Sequence, residues 1–166
     1  MPLTYRPDGY GSSNLGDVPN GSWQSLSDQF ATVAGDEYIV SFDSTDFERH
    51  ILLQDTNKIR VSQTGLYNVQ YAIQFYNSGG GGNTAHAHIW FKVNGTAVPE
   101  TAIRQSCTSN SPYQVASRDY LLTLNTNDYL QIAWETNHTG IQLYHENASG
   151  IIPILASVVL TVTQVG

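Results

Sequence analysis

The segment Gly65 to Asn77, GLYNVQYAIQFYN, alternates without a break: Tyr67, Val69, Tyr71, Ile73 and Phe75 are bulky, while Asn68, Gln70, Ala72 and Gln74 between them are polar or small. A period of two over that length belongs to extended chain, whose side chains point alternately to the two faces of a sheet. It predicts a long strand with one face on a core. HAHIWFKVN (His86 to Asn94) repeats the pattern, with Ala87, Ile89, Phe91 and Val93 on one face and His86, His88, Trp90 and Lys92 on the other. In NDYLQIAWET, Leu130, Ile132 and Trp134 alternate with Tyr129, Gln131 and Ala133; in ILASVVLTVTQV, Ile154, Ala156, Val158, Leu160 and Val162 share a side.

Turn-forming sequences separate these runs: SGGGGN at Ser78 to Asn83, the hairpin dipeptide Asn94-Gly95, LNTND at Leu124 to Asp128, and Ser149-Gly150. No stretch shows a 3.6-residue period, so crossover helices to join parallel strands are missing. Eight to ten short strands in an antiparallel sandwich or closed double sheet are expected, beginning at Trp23. Met1 to about Ser22 is rich in Gly, Pro, Asn and Ser and reads as an extended arm that attaches the domain to a partner.

Composition narrows the function. At 166 residues the chain can build a core without staples. Cys107 is the only cysteine and reads as a small buried hydrophobe; it excludes an internal disulfide and a zinc ribbon. Seven basic residues against 14 acidic ones leave no footprint for nucleic acid, and charged residues are only 13% of the chain. The polar surface is built instead from Asn, Ser, Thr, Gln and Tyr, which suits hydrogen-bonded contacts. No run approaches a membrane span, and the opening residues lack a signal peptide's basic and apolar regions. The expectation is a product of a cytoplasm that stays soluble or leaves by lysis or a dedicated route. Four Asn-x-Ser/Thr sequons, at Asn20, Asn94, Asn137 and Asn147, carry little weight in so Asn-rich a chain.

The order of four motifs, GLYNVQYAIQF, AHIWFKVNGTAVP, LLTLNTNDYLQIAW and IPILASVVLTV, resembles the tumour-necrosis-factor superfamily and the globular heads of complement q-type proteins. The similarity spans Trp23 to Val165. Within it, SW…DQ (Ser22 to Gln29), IWFKVNGTAVP and SVVLTVTQV look most like virion proteins of tailed phages and other large DNA viruses. No Gly-x-y collagen stalk precedes the domain, which sets it apart from the extracellular vertebrate members. The resemblance implies an all-β, two-sheet antiparallel jelly roll of about ten strands, whose inner sheet packs around a threefold axis. It also implies that Gly65–Asn77, Asn127–Glu135 and Ile154–Val165 lie on that inner sheet. Their faces away from the core would then form the trimer interface: Asn68, Gln70, Ala72, Tyr129, Gln131, Ala133, Val159 and Thr161, with Thr163 beside them. The other reading of this set is the solvated side of an antiparallel sheet.

Catalytic chemistry finds little support. His86-x-His88 puts two imidazoles on one strand face and, with Gly80 upstream, partly resembles the first motif of cupin metalloenzymes; the expected carboxylate is replaced by Lys92 and Val93. His138 and His145 lie near Glu135 and Glu146, but adjacent residues of a strand point apart. Asp36, Glu37, Asp43, Asp46 and Glu48 form an acidic stretch without calcium-loop spacing. No nucleophile elbow or phosphate loop occurs. The expectation is therefore a non-enzymatic virion component without cofactor: a homotrimeric capsid decoration, head fibre or tail-associated protein, bound to other virion proteins through its arm. The alternative is a fibre tip that binds a host receptor or carbohydrate through Trp90, Tyr113 and Tyr144; a cupin-like metalloenzyme is the third reading.

Overall fold

A computed structural model describes residues 18–166. Alternation and turn residues cut this stretch into strands: β1 Asn20–Ser25, β2 Gln29–Phe30, β3 Tyr38–Ile39, β4 Ser44–Arg49, β5 Ile51–Gln54, β6 Lys58–Val61 and β7 Gly65–Asn77. After a single 3₁₀ turn at Gly82–Thr84 come β8 His86–Val93, β9 Thr96–Ala97, β10 Ile103–Ser106, β11 Tyr113–Leu124, β12 Tyr129–Thr136, β13 Ile141–Leu143 and β14 Val158–Gln164. β1 already takes in Asn20 to Ser22, which the sequence reading placed in the arm; Met1 to residue 17 lie outside the described residues.

Every pairing is antiparallel, and the strands form two sheets. In the first, β11 runs along one edge of β7 for twelve register pairs, from Tyr113↔Tyr76 to Leu124↔Gly65. The other edge of β7 takes β14 from Gln164↔Tyr67 to Val158↔Ile73, then β13 from Leu143↔Phe75 to Ile141↔Asn77. β1 continues the sheet beyond β14, and β4 beyond β1. The second sheet is ordered β10, β8, β12, β6, β5, with β9 on β8 and β3 on β12.

The two sheets face each other across one core. β7 contributes Tyr67, Val69, Tyr71, Ile73 and Phe75, as its alternation predicts, and β14 adds Val158, Leu160 and Val162. From the second sheet come Ala87, Ile89 and Phe91 of β8 and Leu130, Ile132 and Trp134 of β12. Aromatic edges lock the layers: Tyr71 meets Phe91 at 5.5 Å between centroids, and Phe75 meets Trp134 at 6.3 Å. Trp23 is buried on β1, its indole N–H donating to Glu48 Oε1 at 2.8 Å, and a Cβ on Gly21 would meet its ring at 2.4 Å.

Two departures from the sequence reading matter. Ile154 and Ala156 do not continue β14, which starts at Val158. Instead β13 and β14 occupy one edge of β7 in succession, and the residues between them leave the sheet as a hairpin, with bridges Glu146↔Leu155 and Ser149↔Ile152. The second departure is β11, which its sequence hides. The chain ends meet at the Gly65 end of β7: Gln164 N–H donates to the Pro19 carbonyl at 2.8 Å, and Leu66 N–H to that of Gly166 at 2.6 Å.

Candidate assembly interface

On the first sheet, the residues that alternate with the core rows make a broad face across β11, β7, β14 and β1. Register aligns them in rows: Ser117, Ala72, Val159 and Gln24; then Asp119, Gln70, Thr161 and Ser22; then Leu121, Asn68, Thr163 and Asn20. Ala72, Ser117 and Val159 are short, so the middle of the face is a recess of about 490 Å³, flanked by Gln70, Arg118, Asp119 and Thr161. Toward the Asn77 end the face turns aromatic. Tyr76 stacks on Tyr113 at 4.7 Å, and Tyr144 closes the cluster at 5.2 and 5.6 Å. Burial first, with Glu146 and Tyr113 adding, pushes the Tyr144 hydroxyl above the usual tyrosine range.

Apolar side chains stand uncovered on this face. Tyr113 and Val115 are each 59% exposed and Leu121 61%, with Phe30 and Phe47 at the rim also more than half or half exposed. Scattered exposed apolar residues are ordinary, but their collection on one sheet face makes that face the candidate contact surface. Between them lie hydroxyls and amides that hydrogen-bond, which is the composition of an interface rather than of a core.

Of the eight residues expected at a trimer interface, the structure brings five together: Asn68, Gln70, Ala72, Val159 and Thr161. Tyr129, Gln131 and Ala133 belong to β12, in the second sheet, and cannot share that face. Tyr129 lies between Lys58 and Arg60, whose cationic groups sit 5.5 and 5.7 Å from its ring. Gln131 is nearly buried, its amide donating to Asn57 Oδ1 at 3.2 Å, and Ala133 is wholly buried, opposite Trp90 and Ile39. The expected strand was one too late: β11, not β12, flanks β7. The face is also not free of charge, since Asp119 sits in its second row and Asp46 accepts from Ser22 and Gln24 at its margin. The same face also carries Tyr113, Val115, Ser117, Asp119 and Leu121, which the sequence reading did not place there. Their signal was weak because β11 has a charged pair, Arg118-Asp119, and two adjacent leucines where a clean alternation would have shown.

The other candidates resolve into structure. His88 Nδ1 lies 2.5 Å from Glu135 Oε1 on the neighbouring strand, and the His86 ring is 5.0 Å away, its Nδ1 near the Thr84 carbonyl and Arg104. Among the described residues no group of three or more His, Cys, Asp or Glu is placed to hold a metal ion. The acidic stretch caps and clasps β1: Asp43 accepts from Leu26 N–H and Ser27, while Glu48 accepts from Trp23 and from Leu53 N–H; Glu37 pairs with Lys92. His138 packs over Gly80 and Gly81, where its Nδ1 accepts from Gly140 N–H at 3.1 Å, and His145 N–H is held by Asp28. Cys107 is buried and its thiol donates to the Pro112 carbonyl; burial pushes its pKa up to about 11. Trp90 projects from the second sheet, away from the Tyr113 and Tyr144 cluster of the first, so the three aromatics do not form one sugar platform.

No protein-family model and no curated protein sequence matches the chain. Solved structures do: crystal structures of murine APRIL at pH 8.5 and at pH 5.0 each superpose with a TM-score of 0.58 and 11% sequence identity, covering 89% of this chain and 99% of theirs. That likeness extends across both sheets, and the chain has a tumour-necrosis-factor-like jelly-roll fold.

Proposed function

We propose that the protein is a non-enzymatic structural component that assembles as a homotrimer through the outer face of its first sheet. The observation that carries this is the uncovered row of Tyr113, Val115 and Leu121 beside the Ala72–Ser117 recess: apolar side chains next to a concavity bounded by hydrogen-bonding groups. Three copies around an axis let the projecting side chains of one face enter the recess of the next, a heterologous contact that closes on itself. The resemblance of SW…DQ, IWFKVNGTAVP and SVVLTVTQV to virion proteins supports a place on a virus particle, with the first residues attaching the domain to other virion proteins. Light scattering on the purified protein at micromolar concentration tests the assembly: three times the 18.3 kDa chain mass is expected, and a clean monomer ends the reading. Labelled antibody on purified particles tests the location, and particles that carry none of the protein refute it.

A further inference from the structure

The hairpin between β13 and β14 leaves the sandwich and is anchored at its foot by several hydrogen bonds. Both its ends are tied to one residue: the Gln74 carbonyl accepts from Tyr144 N–H at 2.8 Å, and Gln74 N–H donates to the Ser157 carbonyl at 2.8 Å. The Gln74 amide also donates to the Ala156 carbonyl, Asp28 holds His145 N–H, and Ser157 Oγ donates to the Ser27 carbonyl. At the tip, Ser149 and Ile152 exchange both backbone hydrogen bonds around Gly150 and Ile151, with Gly150 at φ +60° as the first residue of a two-residue turn. This turn presents Ile151 wholly exposed, with Ile152 more than half and Ile154 nearly half exposed.

We propose that this isoleucine tip is a clasp that packs against a second copy of the chain. The inference rests on the homotrimer reading and extends it from the sheet face to the hairpin. Rigidity is the first argument, since a tip already fixed in shape loses little conformational freedom on docking. Continuity is the second: Tyr144, at the foot of the hairpin, packs in the aromatic cluster with Tyr76 and Tyr113, so the hairpin adjoins the sheet face through which the trimer is proposed to form. Charge is the third. Asn147 to Leu155 carry no ionisable side chain and are cheap to desolvate against protein, while Glu146 and Asp28 beside the foot and the lack of any Lys or Arg disfavour an anionic lipid surface.

The test combines dilution with a local probe. An Ile151→Asn, Ile152→Asn variant should fold as the wild type does by circular dichroism but dissociate, in a light-scattering dilution series, at a concentration higher by about tenfold or more. In parallel, Ile151→Cys carrying a polarity-sensitive dye should emit at shorter wavelength in the assembled protein than in an Ala72→Arg background; buried Cys107 stays unlabelled. If the wild type assembles and the variant dissociates at the same concentration with unchanged dye emission, the clasp is overturned and the sheet-face assembly stands. A wild type that is monomeric at every concentration overturns both. A blue shift that appears only on adding phosphatidylglycerol vesicles assigns the tip to a membrane and also overturns the clasp.

Discussion

Two buried polar side chains show how differently a partner and its absence weigh. Trp23 is wholly buried and satisfied, because Glu48 accepts its indole N–H at 2.8 Å and Leu53 N–H at 2.7 Å with the same oxygen. Tyr71 is nearly as buried, yet its hydroxyl has no hydrogen-bond partner; burial, with Tyr120 adding and Arg118 opposing, raises its pKa far above the usual range. The two should respond oppositely to truncation. Glu48→Ala strands a buried donor and should cost about 1–3 kcal/mol, whereas Tyr71→Phe removes an unpaired hydroxyl and should be neutral or stabilising by about 1 kcal/mol. For a chain of this size each kcal/mol moves the midpoint by roughly 2–4 °C, so thermal denaturation reads the contrast directly; equal losses for both would refute it. At this scale the sequence was legible wherever one face of a strand is buried. Tyr67, Val69, Tyr71, Ile73 and Phe75 announced the core by period alone, but nothing in the spacing of the acidic residues showed that Asp43 and Glu48 serve as backbone and indole acceptors.

A strand is legible when its two faces differ, and β11 is the element where that condition fails. It is an edge strand, and although the LNTND turn closes it, its core-facing Ala116, Tyr120 and Leu124 alternate with a mixture of apolar and charged residues, so no clean period marks it. Overlooking it shifted the match by one strand, and β12 was assigned to a sheet it does not join. The hairpin's turn was legible at Ser149-Gly150, but its return limb was not: ILASVVLTVTQV keeps the alternation of a strand through Ile154 and Ala156, while the departure is set by hydrogen bonds from Gln74, far away in sequence. Two arginine substitutions separate these elements. Ala72→Arg should leave a folded monomer that cannot assemble, because three unpaired charges would be forced together at several kcal/mol per ion. Ala133→Arg should instead destabilise the monomer by about 1–3 kcal/mol or more through overpacking. Size exclusion and urea unfolding distinguish the two, and a folded, monomeric Ala133→Arg protein would restore β12 to the interface.

At the scale of the molecule, the core of the sandwich and its antiparallel pairing follow from alternation and turns, and the order of strands within the sheets does not, because pairing partners are chosen by long-range packing that no local pattern encodes. The same pairing sets where things lie along the sheets. Pro19 and Gly166 sit at the Gly65 end of β7, and Gln74, the hairpin foot and the Gly79–Gly82 loop toward the other, roughly 30–40 Å away at about 3.3 Å per residue. Three copies in parallel about an axis would therefore be vectorial. Whatever is joined before residue 18 or after Gly166 leaves from one pole, and the glycine loop marks the opposite one. On a particle gripped from the first pole, a peptide tag inserted in the Gly79–Gly82 loop should be reached by antibody while one fused after Gly166 is masked; equal access to both would show that the assembly lies on its side. A trimer of that kind would behave as a one-way connector, able to tell inward from outward although each of its subunits is the same.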